Sequence, residues 1–594
     1  MTDNKQNGAT GGEVLQEESR KGIAADKTAW PGDRAEMGAR TAEDAGAADG
    51  ALGLNPFMGV NDGDILGSYG LLAQQALREP TVFLEQYGKF WYEMALIVTG
   101  RSGLEPDRKD KRFGEATWRD NALYHAWMQV YLAWRKGLGA LVEGSGLSGE
   151  DAERARFAVS LLTEAASPTN TLLGNPQAMK KFFETGGMSL ARGLTNLIGD
   201  VAHNGGMPSQ VDKSAFEVGD NLAVSEGAVV FRNEVLELIQ YAPKTEQVHE
   251  RPLVLVPPQV NKFYVYDLSP EKSFVRYAVE NGVQFFAVSW RNPTPEMRDW
   301  GFETYVAALL EAIDAVREIT GSESVNMMGA CSGGMTLVTL LGHLAATGDR
   351  RVNSATLMVA VLDTSAESQL GMFATPGTIQ TAKQVSGRTG VLEGQEMARV
   401  FAWMRPNDLV WNYWVNNYLL GNAPPAFDVL YWNNDTTRLP ARLHHELLDL
   451  FARNSFKHPG MLEVLGTPID LSEVDLDTFI LAGMTDHITP WRGNYATTQM
   501  LGGESEFVLS SSGHIQSILN PPGNPKAKFY TGAQCPTNPD EWLAEAQQHP
   551  GSWWDHWRAW ISERSGASKD APEALGNERH PPGTRAPGTY VFES

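Results

Sequence analysis

Apolar residues recur at spacings of three and four along residues 53–220, the pattern of amphipathic helices. Two stretches show this spacing most clearly, NALYHAWMQVYLAWRKGL at residues 121–138 and PQAMKKFFETGGMSLARGLTNLIGDV at residues 176–201. In each stretch one helix face is apolar and the other carries charged and polar side chains. The sequence therefore predicts a mostly helical N-terminal domain over residues 53–220.

From residue 221 to residue 594 the pattern changes to short apolar runs that alternate with helical periodicity. Strands are predicted at Pro252–Val256, Phe285–Ser289, Val325–Met328, Ser354–Leu362, Asp477–Ala482 and Glu506–Ser510, and helices at Glu303–Ile319 and Met335–Ala346. Such alternation predicts an α/β domain with a mostly parallel sheet and helices on both faces.

Two segments lie outside this alternation. Residues 1–52 are rich in Gly, Ala, Asp and Glu and contain one aromatic residue, Trp30, so a disordered acidic tail is predicted. Residues from about 365 to 470 contain helical stretches rich in Trp, Tyr and Asn but no clear strand pattern. We interpret them as an insertion in the sheet domain that acts as a lid.

Charge and cysteine content narrow the class of protein. A net charge of −23 argues against binding of nucleic acid through its phosphates, which depends on clustered Lys and Arg. Two cysteines do not form a disulfide framework, which indicates a reducing, cytoplasmic location. The N-terminus lacks the apolar core of a signal peptide, and we expect no transmembrane segment because no apolar run is long enough.

One stretch combines strand, tight turn and helix in the order that carries a catalytic nucleophile. Gly329-Ala330-Cys331-Ser332-Gly333 matches the pattern G-x-nucleophile-x-G, in which the two glycines relieve crowding at the turn. The turn exposes the Cys331 sulfur at the N-terminus of a helix, whose partial positive charge favours a thiolate. A frame shifted by one residue would make Ser332 the nucleophile instead.

A cysteine nucleophile needs a base, and the base needs a group that orients it. In α/β-hydrolase folds the chain order is nucleophile, acid and histidine, and the last two follow later strands. Asp486 follows the strand predicted at Asp477–Ala482, and His514 follows the strand predicted at Glu506–Ser510. We therefore expect Asp486 and His514 to act with Cys331, with His487 as an alternative base.

Two backbone N–H groups are candidates for the oxyanion hole. One belongs to Ser332, directly after the nucleophile, and the other to Val260, in the loop after the first predicted strand. The histidines His444, His445 and His458 have no accompanying Cys or carboxylate pattern of the kind that binds zinc. We expect neither a metal nor a cofactor at this site.

Beyond these residues, the chain resembles the polyhydroxyalkanoate (PHA) synthases from about residue 55 to its C-terminal region. The motifs that carry the resemblance are PPQVNKFY at 257–264, DLSPEKS at 267–273, SWRNP at 289–293, GACSGG at 329–334, GMTDHITPW at 483–491, SGHIQSILNPPGNPK at 512–526 and WWDHW at 553–557. Several long motifs in the family's order are far more specific than the nucleophile turn alone.

The resemblance implies an α/β-hydrolase fold and an activity. The family polymerises 3-hydroxyacyl-CoA thioesters into polyester with release of CoA, through an acyl group on a cysteine that matches Cys331. It implies His514 as general base and Asp486 as its partner. Gln259, Ala330 and DLSPEKS are most similar to the single-subunit synthases that favour medium-chain monomers (class II), whereas the acidic tail departs from that pattern.

The resemblance also implies partners and leaves two other functions open. It implies a homodimer that associates with the growing polyester and with polymer granules in the cytoplasm. A thioesterase or polyester hydrolase would use the same fold, and fold does not decide between them. A non-catalytic granule-associated protein is a further alternative, although it would need no cysteine, aspartate and histidine in catalytic order.

Overall fold

Helices dominate the first part of the described chain. The computed structural model describes residues 62–108, 110–365, 376–394, 407–486 and 488–594, so the predicted tail at residues 1–52 lies outside the described residues. The helices before the sheet are α1 Asp62–Arg78, α2 Pro80–Val98, α3 Thr117–Asp120, α4 Ala122–Gly144, α5 Gly149–Ala165, α6 Pro176–Glu184 and α7 Met188–His203.

Several of these helices pack against one another. Helix α2 lies against α4, and α1 lies against α5. Phe113, Trp118, Met128 and Tyr131 form a buried aromatic cluster at one end of α4. The predicted helical character of the N-terminal region is confirmed, while its exact boundary at residue 220 stays a prediction.

The described residues after α7 build a large sheet and three two-stranded ribbons. The strands are β1 Gly227–Arg232, β2 Leu236–Tyr241, β3 Gln247–His249, β4 Leu253–Val256, β5 Phe285–Trp290, β6 Val325–Ala330, β7 Val352–Met358, β8 Val391–Leu392, β9 Leu439–Pro440, β10 Glu463–Val464, β11 Thr467–Pro468, β12 Asp477–Gly483, β13 Ser505–Ser510, β14 Lys528–Thr531, β15 Gln547–Pro550 and β16 Ser568–Asp570.

The helices of this part connect or cover the strands. They are α8 Phe274–Glu280, α9 Phe302–Thr320, α10 Cys331–Thr347, α11 Pro376–Thr389, α12 Asp428–Asn433, α13 Ala441–Arg453, α14 Trp491–Ala496, α15 His514–Ile518, α16 Pro539–Glu545 and α17 Trp553–Arg564. π-Helical turns occupy Asn407–Trp411 and Trp414–Leu419.

Within the described residues the large sheet has the strand order β1-β2-β5-β4-β6-β7-β12-β13-β14-β15. The six central strands from β5 to β13 are parallel, and the pairs at both edges are antiparallel. Every strand predicted from the sequence lies in the parallel centre. The α/β-hydrolase fold class with a preceding helical region is therefore confirmed.

Alternate residues of the central strands face different cores. Val254 and Val256 of β4 belong to one apolar cluster, and Leu253 and Leu255 belong to the cluster on the other face. All four are fully buried. A strand covered by helices on both faces has to be apolar throughout, which is why the sequence reads as a continuous apolar run there.

The segment between β7 and β12 is an insertion between two adjacent strands. These strands pair in parallel, with Leu357 opposite Ile480. The described part of the segment contains α11, the π-helical turns, α12 and α13, together with the two-residue strands β8 to β11. Residues 366–375 and 395–406 lie outside the description. The lid role predicted for residues 365–470 stays a prediction.

Candidate active site

The turn from β6 into α10 holds Cys331 in a strained backbone conformation. The φ angle of Cys331 is 48°, in the left-handed region that side chains other than glycine rarely adopt. The flanking glycines allow the turn, because a Cβ on Gly333 would lie 2.4 Å from the carbonyl oxygen of Pro257. The half-buried Cys331 thus sits between the carboxyl end of a central strand and the first turn of a helix.

The neighbouring parallel strands bring the predicted acid and base to the same edge. Asp486 lies in the turn after β12, and His514 begins α15 just after β13. The Nδ1 atom of His514 lies 2.7 Å from Oδ2 of Asp486. The Cys331 side chain lies close enough to the imidazole to contribute to the raised pKa of His514. The structure therefore brings together all three residues that the sequence predicted.

The carboxylate of Asp486 is held by four donors. Its Oδ1 accepts from the backbone N–H groups of Ile488 and Thr489, each at 2.9 Å. Its Oδ2 accepts from the Thr489 hydroxyl at 2.6 Å as well as from His514. Sequence reasoning missed Thr489. The only signal was a Thr three residues after the Asp, a spacing at which a side-chain carboxylate commonly closes a turn.

Electrostatics favour an ion pair between the buried acid and base. Burial opposes the ionised form of Asp486, but the charge of His514 and hydrogen bonds from His514 and Thr489 outweigh it and lower the pKa of Asp486. Burial likewise opposes protonation of His514, yet Asp486 and the Cys331 thiol raise the pKa of His514 well above its usual value.

The sequence left two alternatives open, Ser332 as the nucleophile and His487 as the base. The Ser332 side chain is buried, and its hydroxyl oxygen accepts a hydrogen bond from the Gln259 backbone N–H at 3.2 Å. The strained position of the turn belongs to Cys331 and not to Ser332, so the geometry favours Cys331 as nucleophile. His487, the alternative base, lies outside the described residues.

The candidate oxyanion donors lie on two segments that touch. Ser332 is the second residue of α10, and Val260 follows Gln259 in the loop after β4. The hydrogen bond between Gln259 and Ser332 holds that loop against the first turn of α10. Gly333 permits the approach, since a Cβ there would collide with the carbonyl oxygens at the end of β4.

The described ranges contain neither a cluster of metal ligands nor a helix that could span a membrane. Within them, no three His, Cys, Asp or Glu side chains are grouped as a metal ion would require. His444 and His445, for example, bond to the Ser386 hydroxyl and the Lys383 carbonyl. None of the helices described here is both long and apolar enough to cross a membrane.

Comparison with known families assigns the fold class first. A family model described as the poly-beta-hydroxybutyrate polymerase (PhaC) N-terminus matches residues 109–278, and one described as the alpha/beta hydrolase fold matches residues 252–521. Among solved structures, the chain is similar to a monoacylglycerol lipase from Paleococcus ferrophilus. The identity is 15%, 56% of this chain and 98% of the lipase chain are covered, and the TM-score is 0.29. The match to the alpha/beta hydrolase family model and the strand order of the large sheet show that the protein has an α/β-hydrolase fold.

Longer matches assign the family. The chain is 55% identical over 547 residues to poly(3-hydroxyalkanoate) polymerase 1 of Ectopseudomonas oleovorans, covering 92% of this chain and 98% of that protein. It is 40% identical over 552 residues to the poly(3-hydroxyalkanoate) polymerase subunit PhaC of Cupriavidus necator, covering 92% and 91%. The chain belongs to the poly(3-hydroxyalkanoate) polymerase family and is an acyltransferase.

Proposed function

We propose that this polymerase transfers 3-hydroxyacyl groups from CoA thioesters to the hydroxyl end of a growing polyester, through an acyl group carried on Cys331. The observation that carries the proposal is the hydrogen bond between His514 and Asp486, at 2.7 Å, beside the strained turn that holds Cys331. It stands at the carboxyl edge of the sheet, after three of its central strands. Nucleophile, base and orienting acid are the groups that covalent acyl transfer requires.

In the first step the Cys331 thiolate attacks the thioester carbonyl carbon. A new carbon–sulfur bond forms to Cys331, the bond to the CoA sulfur breaks, and the CoA thiolate takes the proton held by His514. Both sulfur groups are thiols, so the exchange is nearly balanced in free energy. Asp486 holds the imidazole in one tautomer and stabilises its charged form, as the lowered pKa of Asp486 and the raised pKa of His514 indicate.

In the second step the 3-hydroxyl group of another unit attacks the acyl group on Cys331. His514 takes the hydroxyl proton, the ester bond forms, and Cys331 leaves as a thiolate. The tetrahedral intermediate of each step carries a negative oxygen. We assign its stabilisation to the N–H groups of Ser332, which directly follows the nucleophile, and of Val260, which lies in the loop after β4.

Polymerisation further requires that water stay away from the acyl group on Cys331, because water would release a free hydroxy acid. We assign this role to the insertion at residues 365–470, whose segment around residues 432–438 contacts the loop after β4. Shortening the insertion should raise the fraction of acyl groups that leave as free acid. An unchanged ratio of polymer to free acid would argue against a lid.

An exposed aromatic surface on α2 suggests how the protein associates with partners. Tyr87, Trp91 and Tyr92 of α2 are each more than half exposed, and such apolar surfaces commonly mark sites of association. We propose a homodimer that works at polymer granules in the cytoplasm. Sedimentation of the purified chain tests the homodimer, and recovery of the chain with isolated granules tests the association with polymer.

We also propose that no metal takes part, so activity should survive dialysis against EDTA.

The decisive experiment supplies purified protein with 3-hydroxybutyryl-CoA or 3-hydroxydecanoyl-CoA and follows CoA release and product mass. We expect insoluble polyester, faster from the longer monomer if the chain shares the medium-chain preference. CoA release with only free hydroxy acid would identify a thioesterase instead. No CoA release from either substrate would favour a non-catalytic granule protein.

The matched variants use the two cysteines of the chain. Cys331→Ala should abolish labelling by a radioactive acyl-CoA, whereas Cys535→Ala should retain it, because Cys535 lies away from the histidine and bonds the Ser505 carbonyl at 3.6 Å. Labelling that persists in Cys331→Ala and disappears in Ser332→Ala would show that the other reading frame of the turn is correct.

A further inference from the structure

The loop after β4 is fastened to the nucleophile helix by its Gln259 residue. Beyond the bond from its backbone N–H to Ser332, the Gln259 side-chain amide donates to the hydroxyl of Thr336 at 2.8 Å. Thr336 in turn donates to the Ser332 carbonyl at 3.1 Å. These contacts fix the position of Gln259 relative to the turn that carries Cys331.

A second contact reaches the same residue from the insertion. The buried hydroxyl of Thr437 donates to the Gln259 carbonyl oxygen at 2.6 Å. That carbonyl belongs to the peptide group that joins Gln259 to Val260, and the N–H of this peptide is the proposed oxyanion donor. The peptide is trans, since the only cis peptide of the described chain lies at Ala586–Pro587.

A trans peptide is planar, and its C=O and N–H bonds point in opposite directions. A hydrogen bond that fixes the carbonyl therefore also fixes the direction of the N–H. It polarises the peptide as well, which strengthens the N–H as a donor. We infer that Thr437 is a positioning residue, which holds the Gln259–Val260 peptide so that the Val260 N–H faces the substrate oxyanion.

The segment around Thr437 is anchored well enough to serve this purpose. Thr436 forms a strand-like bridge with Asn261, and the indole N–H of Trp432 donates to the Lys262 carbonyl at 2.7 Å. Asp435 forms an ion pair with Lys262 at 2.7 Å. In this proposal the Val260 donor is held in place only while this segment is docked. Displacing the segment would break the hydrogen bond from Thr437 to the Gln259 carbonyl.

The inference rests on the proposed function and is tested with Thr437→Val, which keeps the shape of the side chain and deletes its hydroxyl. Loss of an oxyanion donor lowers kcat by about 10²–10³-fold. Because Thr437 acts through such a donor, we expect kcat for CoA release to fall about 10–100-fold with an unchanged KM. Thr437→Ser restores the hydroxyl and should recover most of kcat.

Two further measurements separate positioning from general damage. Alkylation of Cys331 by iodoacetamide forms no oxyanion, so Thr437→Val should react at the wild-type rate. Thr339→Val is the matched control, since the buried Thr339 hydroxyl bonds only the Met335 carbonyl within α10, at 2.8 Å. Its kcat should be close to that of the wild type.

Each outcome has a defined meaning. A wild-type kcat in Thr437→Val, or a parallel loss of kcat and alkylation rate, would overturn the inference while the proposed function stands. CoA release that survives in Cys331→Ala would overturn the proposed function, and the inference with it.

Discussion

Replacing Asp486 by Asn removes a charge, and the surrounding hydrogen bonds decide how the new amide is oriented. The Oδ1 position faces two backbone N–H donors, those of Ile488 and Thr489. An NH₂ group there would leave both donors without an acceptor, so the amide oxygen takes this position. The NH₂ group then occupies the Oδ2 position, 2.7 Å from Nδ1 of His514.

This orientation forces His514 into the wrong tautomer. Its Nδ1 must accept a hydrogen bond from the amide, so its proton moves to Nε2, the nitrogen left to face Cys331. A ring that carries a proton on Nε2 cannot accept one from the thiol or from a substrate hydroxyl. In a serine protease triad the same change lowers kcat by about 10⁴-fold. This corresponds to about 5 kcal/mol, at about 1.4 kcal/mol for each factor of ten.

The assay is the rate of CoA release from a 3-hydroxyacyl-CoA across a pH series. We expect kcat of Asp486→Asn to fall by about 10³–10⁴-fold at neutral pH. The remaining rate should rise with hydroxide concentration, which then replaces His514 in removing the thiol proton. A loss smaller than about tenfold would refute the tautomer argument, since general base catalysis contributes at least about 10²-fold.

The matched control is Asp200→Asn, which also neutralises a buried carboxylate that accepts several hydrogen bonds. Asp200 lies in α7, remote in sequence from the active-site turn, and bonds Ser209 and the hydroxyl of Tyr418 in the second π-helical turn. Its kcat should change little even if its melting temperature falls. Equal losses of kcat in both variants would mean that the effect of Asp486→Asn comes from lost stability.

Two further predictions concern stability. The raised pKa of His514 and the lowered pKa of Asp486 mean that the pair stabilises the fold most between about pH 4 and 6.5, their usual pKa values. In urea unfolding, the free energy of unfolding should be larger for the wild type than for His514→Gln, and this difference should shrink as pH rises through the raised pKa of His514. A difference that grows over this pH range would contradict the prediction. Gly333→Ala should lower the free energy of unfolding by about 1–3 kcal/mol, because the added methyl group would overpack against Pro257, and the melting temperature should fall with it. Gly139→Ala has open space around it and should not lower the melting temperature.

The three residues that meet at the candidate active site could be picked out because each is marked by its local sequence. Cys331 is marked by small residues on both sides and by a strand and a helix in the right order. Asp486 and His514 are marked by their place directly after apolar strands. Parallel strands end at one edge of a sheet, so residues that follow different strands meet there without further information.

The edges of the sheet could not be predicted in this way. Strand β15 has the sequence QQHP, with no apolar alternation, and exists because β14 offers it an antiparallel partner. Strand β2 contains a fully buried Glu237, although charged side chains are rarely buried unless they are paired. Its carboxylate accepts from the backbone N–H groups of Thr589 and Tyr590, near the C-terminus. Such partners are visible only when the chain is folded.

Thr437 shows the same limit at the active site itself. Nothing in its local sequence, Asp-Thr-Thr-Arg-Leu, distinguishes it from an ordinary loop threonine. Its meaning comes from a hydrogen bond to a carbonyl 178 residues earlier in the chain. A contact between such distant segments depends on the docking of the insertion, whereas the bond from His514 to Asp486 joins turns that follow adjacent strands. We therefore expect a displaced insertion to remove the support of the proposed oxyanion donor while the bond between His514 and Asp486 persists. The insertion would then act on acyl transfer without altering the nucleophile.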